Sequence, residues 1–141
     1  MAIDPAVIGT ELPQTTLVLD AGRLRFFATS IGETNEAFVE GAVPPTFLFA
    51  IELENPNPFA WLADLGVDLR RVLHGEQKFT YHSAVRAGDA VTAAPRITDV
   101  YSKKGGALDF IVKETAVTRA DGSAVADLTT VIVVRNPAVA A

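Results

Sequence analysis

From His74 to Arg135 hydrophobic positions recur at every second residue, the period of half-buried strands. Four strands are predicted there, at 76–86, 90–103, 107–119 and 124–135. Turn signals separate them: Ala87-Gly88-Asp89, Lys103-Lys104-Gly105-Gly106 and Ala120-Asp121-Gly122-Ser123. In the first strand Phe79, Tyr81 and Val85 share a face, with His82 on the opposite one. Pro95 in the second has no N–H for a ladder, so a bulge or an edge position is expected around it. The third alternates Leu108, Phe110 and Val112 against Asp109, Lys113 and Thr115, an apolar set against a polar one.

Upstream the period changes. Residues 15–19 (TTLVL) form a short β-type run, and Asp20 then offers a side-chain cap to a helix over 21–32. Leu24, Phe27, Ala28 and Ile31 recur there at helical spacing, and Gly32 stands where the helix ends. Residues 33–43 have turn composition with room for a single helical turn. Pro44 and Pro45, tolerated where helix N–H groups are orphaned, open a segment apolar as far as Ile51, predicted as a buried helix over 44–54. The stretch 56–73 is broken by proline, with a short helix at 58–64. Its Phe59, Trp61 and Leu62, with Leu65, read as a lid or satellite cluster.

The element order is β-α-loop-α-β-β-β-β. A long antiparallel sheet needs one covered face, and only 44–54 is apolar enough all round to lie beneath it. The prediction is an α+β single hot-dog domain over 1–141, an antiparallel β-sheet wrapped around a central apolar helix, with 15–19 as an extra strand. An unpaired sheet edge remains, which predicts pairing with a second subunit.

Composition agrees with a folded domain: 141 residues, 49% hydrophobic and 21% charged. The net charge of −5, with basic runs only at Arg70-Arg71 and Lys103-Lys104, argues against nucleic acid or an anionic membrane as partner. The chain has no cysteine, so disulfides, thiolate catalysis and cysteine-ligated metals are excluded. No signal-like leader and no run of eighteen apolar residues is present, and a cytoplasmic location is expected. No metal site or cofactor motif stands out, and the Lys-Lys-Gly-Gly stretch reads as a hairpin turn rather than a phosphate cradle. The small tail 138–141 reads as frayed.

Dehydrating a 3-hydroxyacyl thioester takes an acid or base at the α-carbon, a group that activates hydroxyl or water, and a donor to the thioester oxygen. The segment 27–47 (FATSIGETNEAFVEGAVPPTF) resembles the MaoC-like hydratase and dehydratase family, whose catalytic members follow a helix-ending glycine with D-x-N-P-x-H. Gly32 matches the glycine, Glu33 takes the Asp position, Asn35 matches the Asn, Glu36 replaces the Pro, and Phe38 stands at the His position. One branch is closer still, the MaoC-like N-terminal domain of the fungal fatty-acid-synthase-type dehydratase. The residues that carry this are PPTF (44–47), HGEQKFTYHSAVRAGD (74–89), GGALDFIVKET (105–115) and TTVIVVR (129–135). In that branch a degenerate half gives acyl-chain space and a catalytic half gives the acid and base.

The resemblance implies a subunit of an acyl-thioester dehydratase or (R)-specific enoyl-CoA hydratase that holds an acyl-CoA or acyl carrier protein thioester beside a catalytic MaoC-like subunit. Two alternatives stay open: a self-sufficient homodimeric hydratase using Glu33 and His74, and a non-enzymatic acyl-binding or assembly module. Candidate catalytic residues are Glu33 and His74. Candidate substrate-binding residues are Asn35, Phe38, Pro45, Thr46, Phe47, Trp61, Gly75, Glu76 and Gln77. Each has a plain structural reading beside it. His74 equally suits a turn histidine bonded to a neighbouring carbonyl, Asp89 a hairpin residue, and Arg70-Arg71 either a CoA phosphate contact or a solvated charge pair. Glu52 and Glu54, at the far end of the central helix, are expected in solvent, which argues against a hot-dog thioesterase.

Overall fold

The computed structural model describes residues 3–38 and 40–137; the tail 138–141 lies outside them. Asp20 caps α1 (Ala21–Ser30) through a carboxylate oxygen that accepts from the Arg23 N–H at 2.9 Å. Gly32 follows with φ +77°, a left-handed turn after which the Glu33 N–H donates to the Ala28 carbonyl at 2.9 Å. Leu24 and Ala28 are buried, and Phe27 meets Phe47 edge to face at 5.3 Å.

The sheet is antiparallel and five-stranded, in the order β1-β3-β4-β5-β2. Its strands are β1 (Thr15–Val18), β2 (Val72–Tyr81), β3 (Ala90–Lys103), β4 (Leu108–Arg119) and β5 (Ala124–Arg135). The short β1 joins as expected, on β3. The expected four-strand meander is corrected, since only β3, β4 and β5 are hairpin neighbours and β2 pairs with β5 on the far edge. The reason lies in residues 82–89, too long for a tight hairpin. Their end is tied to the opposite edge, where Gly88 N–H donates to the Leu19 carbonyl at 2.7 Å and Leu19 N–H to the Asp89 carbonyl at 2.9 Å.

The curled sheet closes over a central 3₁₀ helix, Phe47–Glu54, the hot-dog arrangement. Phe47, Leu48 and Ile51 are at most 3% exposed and pack on Val91, Ala93, Val117 and Leu128. The helix starts at Phe47, not Pro44: the two prolines form a lead-in turn closed by Phe47 N–H donating to the Pro44 carbonyl at 3.0 Å. A second apolar cluster fills the other end of the sheet. There α2 (Ala60–Asp64) brings Leu62 and Trp61 onto Ile97, Ile111, Ile132 and Val134. Among the described residues no helix is long and apolar enough to cross a membrane.

Three strand details depart from the alternation pattern or refine it. Strand β2 begins at Val72, so His74 lies inside it and not in a preceding turn, at a bulge between His74 and Glu76. Glycine is required at that bulge because a Cβ on Gly75 would meet Val133 Cγ2 at 2.8 Å. Pro95 pairs with Thr115 of β4 beyond the last β1 partner, Ala93, and on its other side its carbonyl accepts from the Leu12 N–H at 2.9 Å, so the expected edge position is corrected; the β3 bulge falls later, between Ile97 and Asp99. On β4 the inward face carries Asp109, Ile111, Lys113, Thr115 and Val117, and Leu108, Phe110 and Val112 are only half-buried on the other. The polar set therefore faces the interior. Phe110 instead stacks on Tyr101 of β3 at 4.8 Å, with the Lys103 ammonium over both rings.

Candidate functional site

The loop after α1 is held by its own side chains. Glu33 Oε1 accepts from the N–H groups of Thr34 and Asn35, both at 3.0 Å, and Asn35 Oδ1 accepts from Ala37 N–H at 2.9 Å. These bonds build a 3₁₀ turn, Glu36–Phe38, with Glu33 and Asn35 exposed and Phe38 half-buried. The Glu33 carboxylate makes no hydrogen bond to either histidine.

His74 lies elsewhere, at the β2 bulge. Its ring packs against Phe49 with centroids 5.8 Å apart, and its Nε2 is 3.2 Å from the Glu76 carbonyl oxygen. A carbonyl only accepts, so Nε2 is the nitrogen that donates in this contact. The histidine borders a cavity of 120 Å³ between the end of the central helix, α2 and the inner face of β2, β4 and β5. Its walls include Phe49, Trp61, Leu62 and Ile132, with Glu52 and Lys113 as the charged residues.

Glu52 is not in solvent. Its carboxylate accepts from Lys113 Nζ at 2.8 Å and from Thr115 Oγ1 at 3.1 Å, and the Lys113 and Glu52 side chains are only 11% and 18% exposed. The Lys113 ammonium also lies 5.5 Å from the Trp61 ring centroid, a cation–π contact. On the far side of the same partition is a second cavity of 230 Å³ lined by Leu12, Pro13, Leu65 and Ile97. Glu52, Pro58 and Trp61 are walls of both. A polar pair thus anchors an aromatic screen between two largely apolar spaces.

Gln77 is one step along the sheet from this cavity. Its Oε1 accepts from Thr130 Oγ1, a cavity-wall hydroxyl, at 2.8 Å, while its Nε2 is the one buried side-chain polar atom without a partner among the described residues. Gly75 shapes the bulge, and Glu76 is exposed. Phe47 is core, Thr46 precedes the central helix with no capping bond, and Pro45 edges a wider concavity of 550 Å³ with Leu48, Tyr81, His82 and Val85. Burial pushes the Tyr81 phenol up from its usual pKa. His82 Nε2 is 2.7 Å from Asp127 Oδ2. Asp89 closes the turn before β3 by accepting from Arg86 N–H at 2.9 Å. Arg70 pairs with Asp68 at 2.8 Å, and that hydrogen bond holds the Asp68 carboxyl down at about 2.

The structure therefore brings His74, Trp61 and, through Thr130, Gln77 around one cavity, and leaves Glu33, Asn35 and Phe38 together in a separate turn. Sequence reasoning placed Glu52 in solvent and read Lys113 and Thr115 only as part of a strand's polar set. The available signal was the charge match between Glu52 near the end of a largely apolar helix and Lys113 on that strand.

Comparison places the sequence and fold of this chain among known proteins. The chain matches the family model described as "FAS1-like, dehydratase domain region" over residues 6–128. It is 36% identical over 118 residues to a UPF0336 protein of Streptomyces griseus, covering 74% of this chain and 78% of that one. Its fold is similar to a structure described as a MaoC-like dehydratase, with a TM-score of 0.79 at 19% identity over 93% of this chain and 43% of that one. It is also similar to a chain of the C-terminally truncated HadBC (3R-hydroxyacyl-ACP dehydratase) complex from Mycobacterium tuberculosis. There the TM-score is 0.75 at 21% identity, covering 94% of this chain and 99% of that one.

Proposed function

The chain belongs to the FAS1-like dehydratase-region family of MaoC-like hot-dog proteins, and from that premise we propose that it is the acyl-binding subunit of an acyl-thioester dehydratase or (R)-specific enoyl-CoA hydratase, paired with a catalytic subunit of the same fold. The observation that carries the reading is the 33–38 turn. Phe38 stands where the family's histidine would move a proton, and one oxygen of the exposed Glu33 carboxylate, Oε1, accepts two backbone N–H groups of its own turn. A phenyl ring neither donates nor accepts a proton. The acid and base then come from the partner, as the two-component HadBC complex makes reasonable for a relative in fold.

The apolar cavities beside His74 and Trp61 suit an acyl chain. The unpartnered Gln77 amide suits a thioester carbonyl brought to it in the assembly, because a buried donor gains most from an acceptor it otherwise lacks. Crotonyl-CoA hydration by the purified chain, alone and mixed with a catalytic MaoC-like partner, tests the proposal. Negligible solo turnover with a rate that appears on mixing is expected. Solo turnover abolished by Glu33→Gln would instead establish the self-sufficient homodimer, and acyl-CoA binding with no turnover beside any partner would leave a binding module.

A further inference from the structure

The β2–β5 ladder begins at the pair Val72 and Val134, and the residue just outside it on each strand side is an arginine, Arg71 and Arg135. The turn between β3 and β4 adds Lys104, and the three line a concavity of 370 Å³ with Leu108 and Asn136 and no carboxylate in its wall. None of the three has an acidic partner within salt-bridge distance among the described residues. In a chain with 17 acidic and 12 basic residues, three cations around one hollow whose wall holds no carboxylate are a local reversal of the overall charge balance.

The backbone at Lys104 points the same way. It is the one non-glycine residue with positive φ among the described residues, at +53°, followed by Gly105 at +62° and Gly106 at +94°. Glycine or asparagine would adopt that conformation more cheaply than lysine, and backbone strain of this kind gathers at functional sites. The turn is also pinned from β5: Asn136 donates from Nδ2 to the Gly106 carbonyl and from its backbone N–H to the Ala107 carbonyl, both at 2.9 Å. That fixes Lys104 relative to Arg135.

We propose that this hollow binds a phosphate group of the molecule that carries the acyl chain, through the side chains of Arg71, Lys104 and Arg135. Guanidinium and ammonium groups are the usual partners of phosphate oxygens. Arg71 directly precedes Val72 and Leu73, which line the 120 Å³ cavity, so the hollow and the cavity adjoin along one strand, with Leu73 about 7 Å from Arg71 at the strand rise. The identity of the carrier rests on the reading above, whereas the phosphate site itself does not. Coenzyme A and the phosphopantetheine of a carrier protein both present such a phosphate.

Calorimetric titration of the full chain with pyrophosphate, 4′-phosphopantetheine and CoA tests this. Micromolar to millimolar binding that weakens with salt is expected, with affinity falling at least tenfold in Arg71→Gln/Lys104→Gly/Arg135→Gln. Lys104→Gly alone is expected to weaken binding several-fold while its Tm is unchanged or raised, which separates lost recognition from lost folding. CoA binding tighter than 4′-phosphopantetheine would point to the free coenzyme, and equal affinities to the shared phosphate; both support the site. Wild-type affinity retained in the triple variant, or no phosphate binding at all, overturns it. Octanoyl-pantetheine, which has no phosphate, isolates the other reading. If it stabilises wild type and variant alike while the phosphates do not discriminate, only the phosphate site fails; if the phosphates discriminate and it has no effect, only the acyl reading fails.

Discussion

At the scale of single residues, the Glu52–Lys113 pair is where charge, burial and position meet. Removing one member of a nearly buried pair strands the other without compensation. Lys113→Met is therefore expected to cost about 2–3 kcal/mol, and Glu52→Gln/Lys113→Met to recover most of that, as read from urea denaturation midpoints. Asp68 makes a different prediction. Its hydrogen bond from Arg70 lowers the carboxyl from 3.8 to about 2, so the contribution is complete above pH 3.8 and disappears as pH falls through 2. Carboxyl NMR titration of Asp68 should give a midpoint near 2 that moves up toward 3.8 in Arg70→Gln. Individual positions were unevenly legible. Asp20 and Gly32 declared the ends of α1 because a cap and a left-handed turn depend on local chemistry. Lys113 and Thr115 did not declare themselves, since a lysine whose partner is 61 residues away in sequence looks like any solvent-facing charge.

At the scale of elements, period identified strands but not their neighbours or their faces. Alternation located β3, β4 and β5 closely, yet on β4 it could not reveal that the inward face is the polar one, because Glu52 on the central helix supplies the counter-charge. The central helix was legible as apolar and proline-led, but its first turn was not, since the prolines close a turn of their own before Phe47. The screen that α2 places between two cavities leads to an expectation for ligand length. Trp61→Ala should join spaces of 120 and 230 Å³ and shift preference toward longer acyl chains. A series of acyl-CoA ligands of rising length, ranked by the Tm increase each gives, measures that shift. An unchanged ranking would mean that the chain lies elsewhere.

At the scale of the molecule, the hot-dog architecture was readable because one apolar helix and one long sheet admit few other packings. Strand order was not, since it depends on where residues 82–89 lead the chain. The result leaves β2, ten residues long, as an outer strand with Leu73 and Tyr81 half exposed. Sedimentation is expected to give a dimer, twice the 15.0 kDa of one chain where the chain pairs with itself, and Leu73→Asp/Tyr81→Asp to reduce association with itself or with a partner subunit. The partition between the cavities has one more use. Trp61 is the only tryptophan in the sequence, so the protein's native ultraviolet emission comes from the wall between its two interior spaces. Any guest that displaces water or nudges the lysine off that indole should change the colour and brightness of the glow, an optical report on occupancy built in without a label.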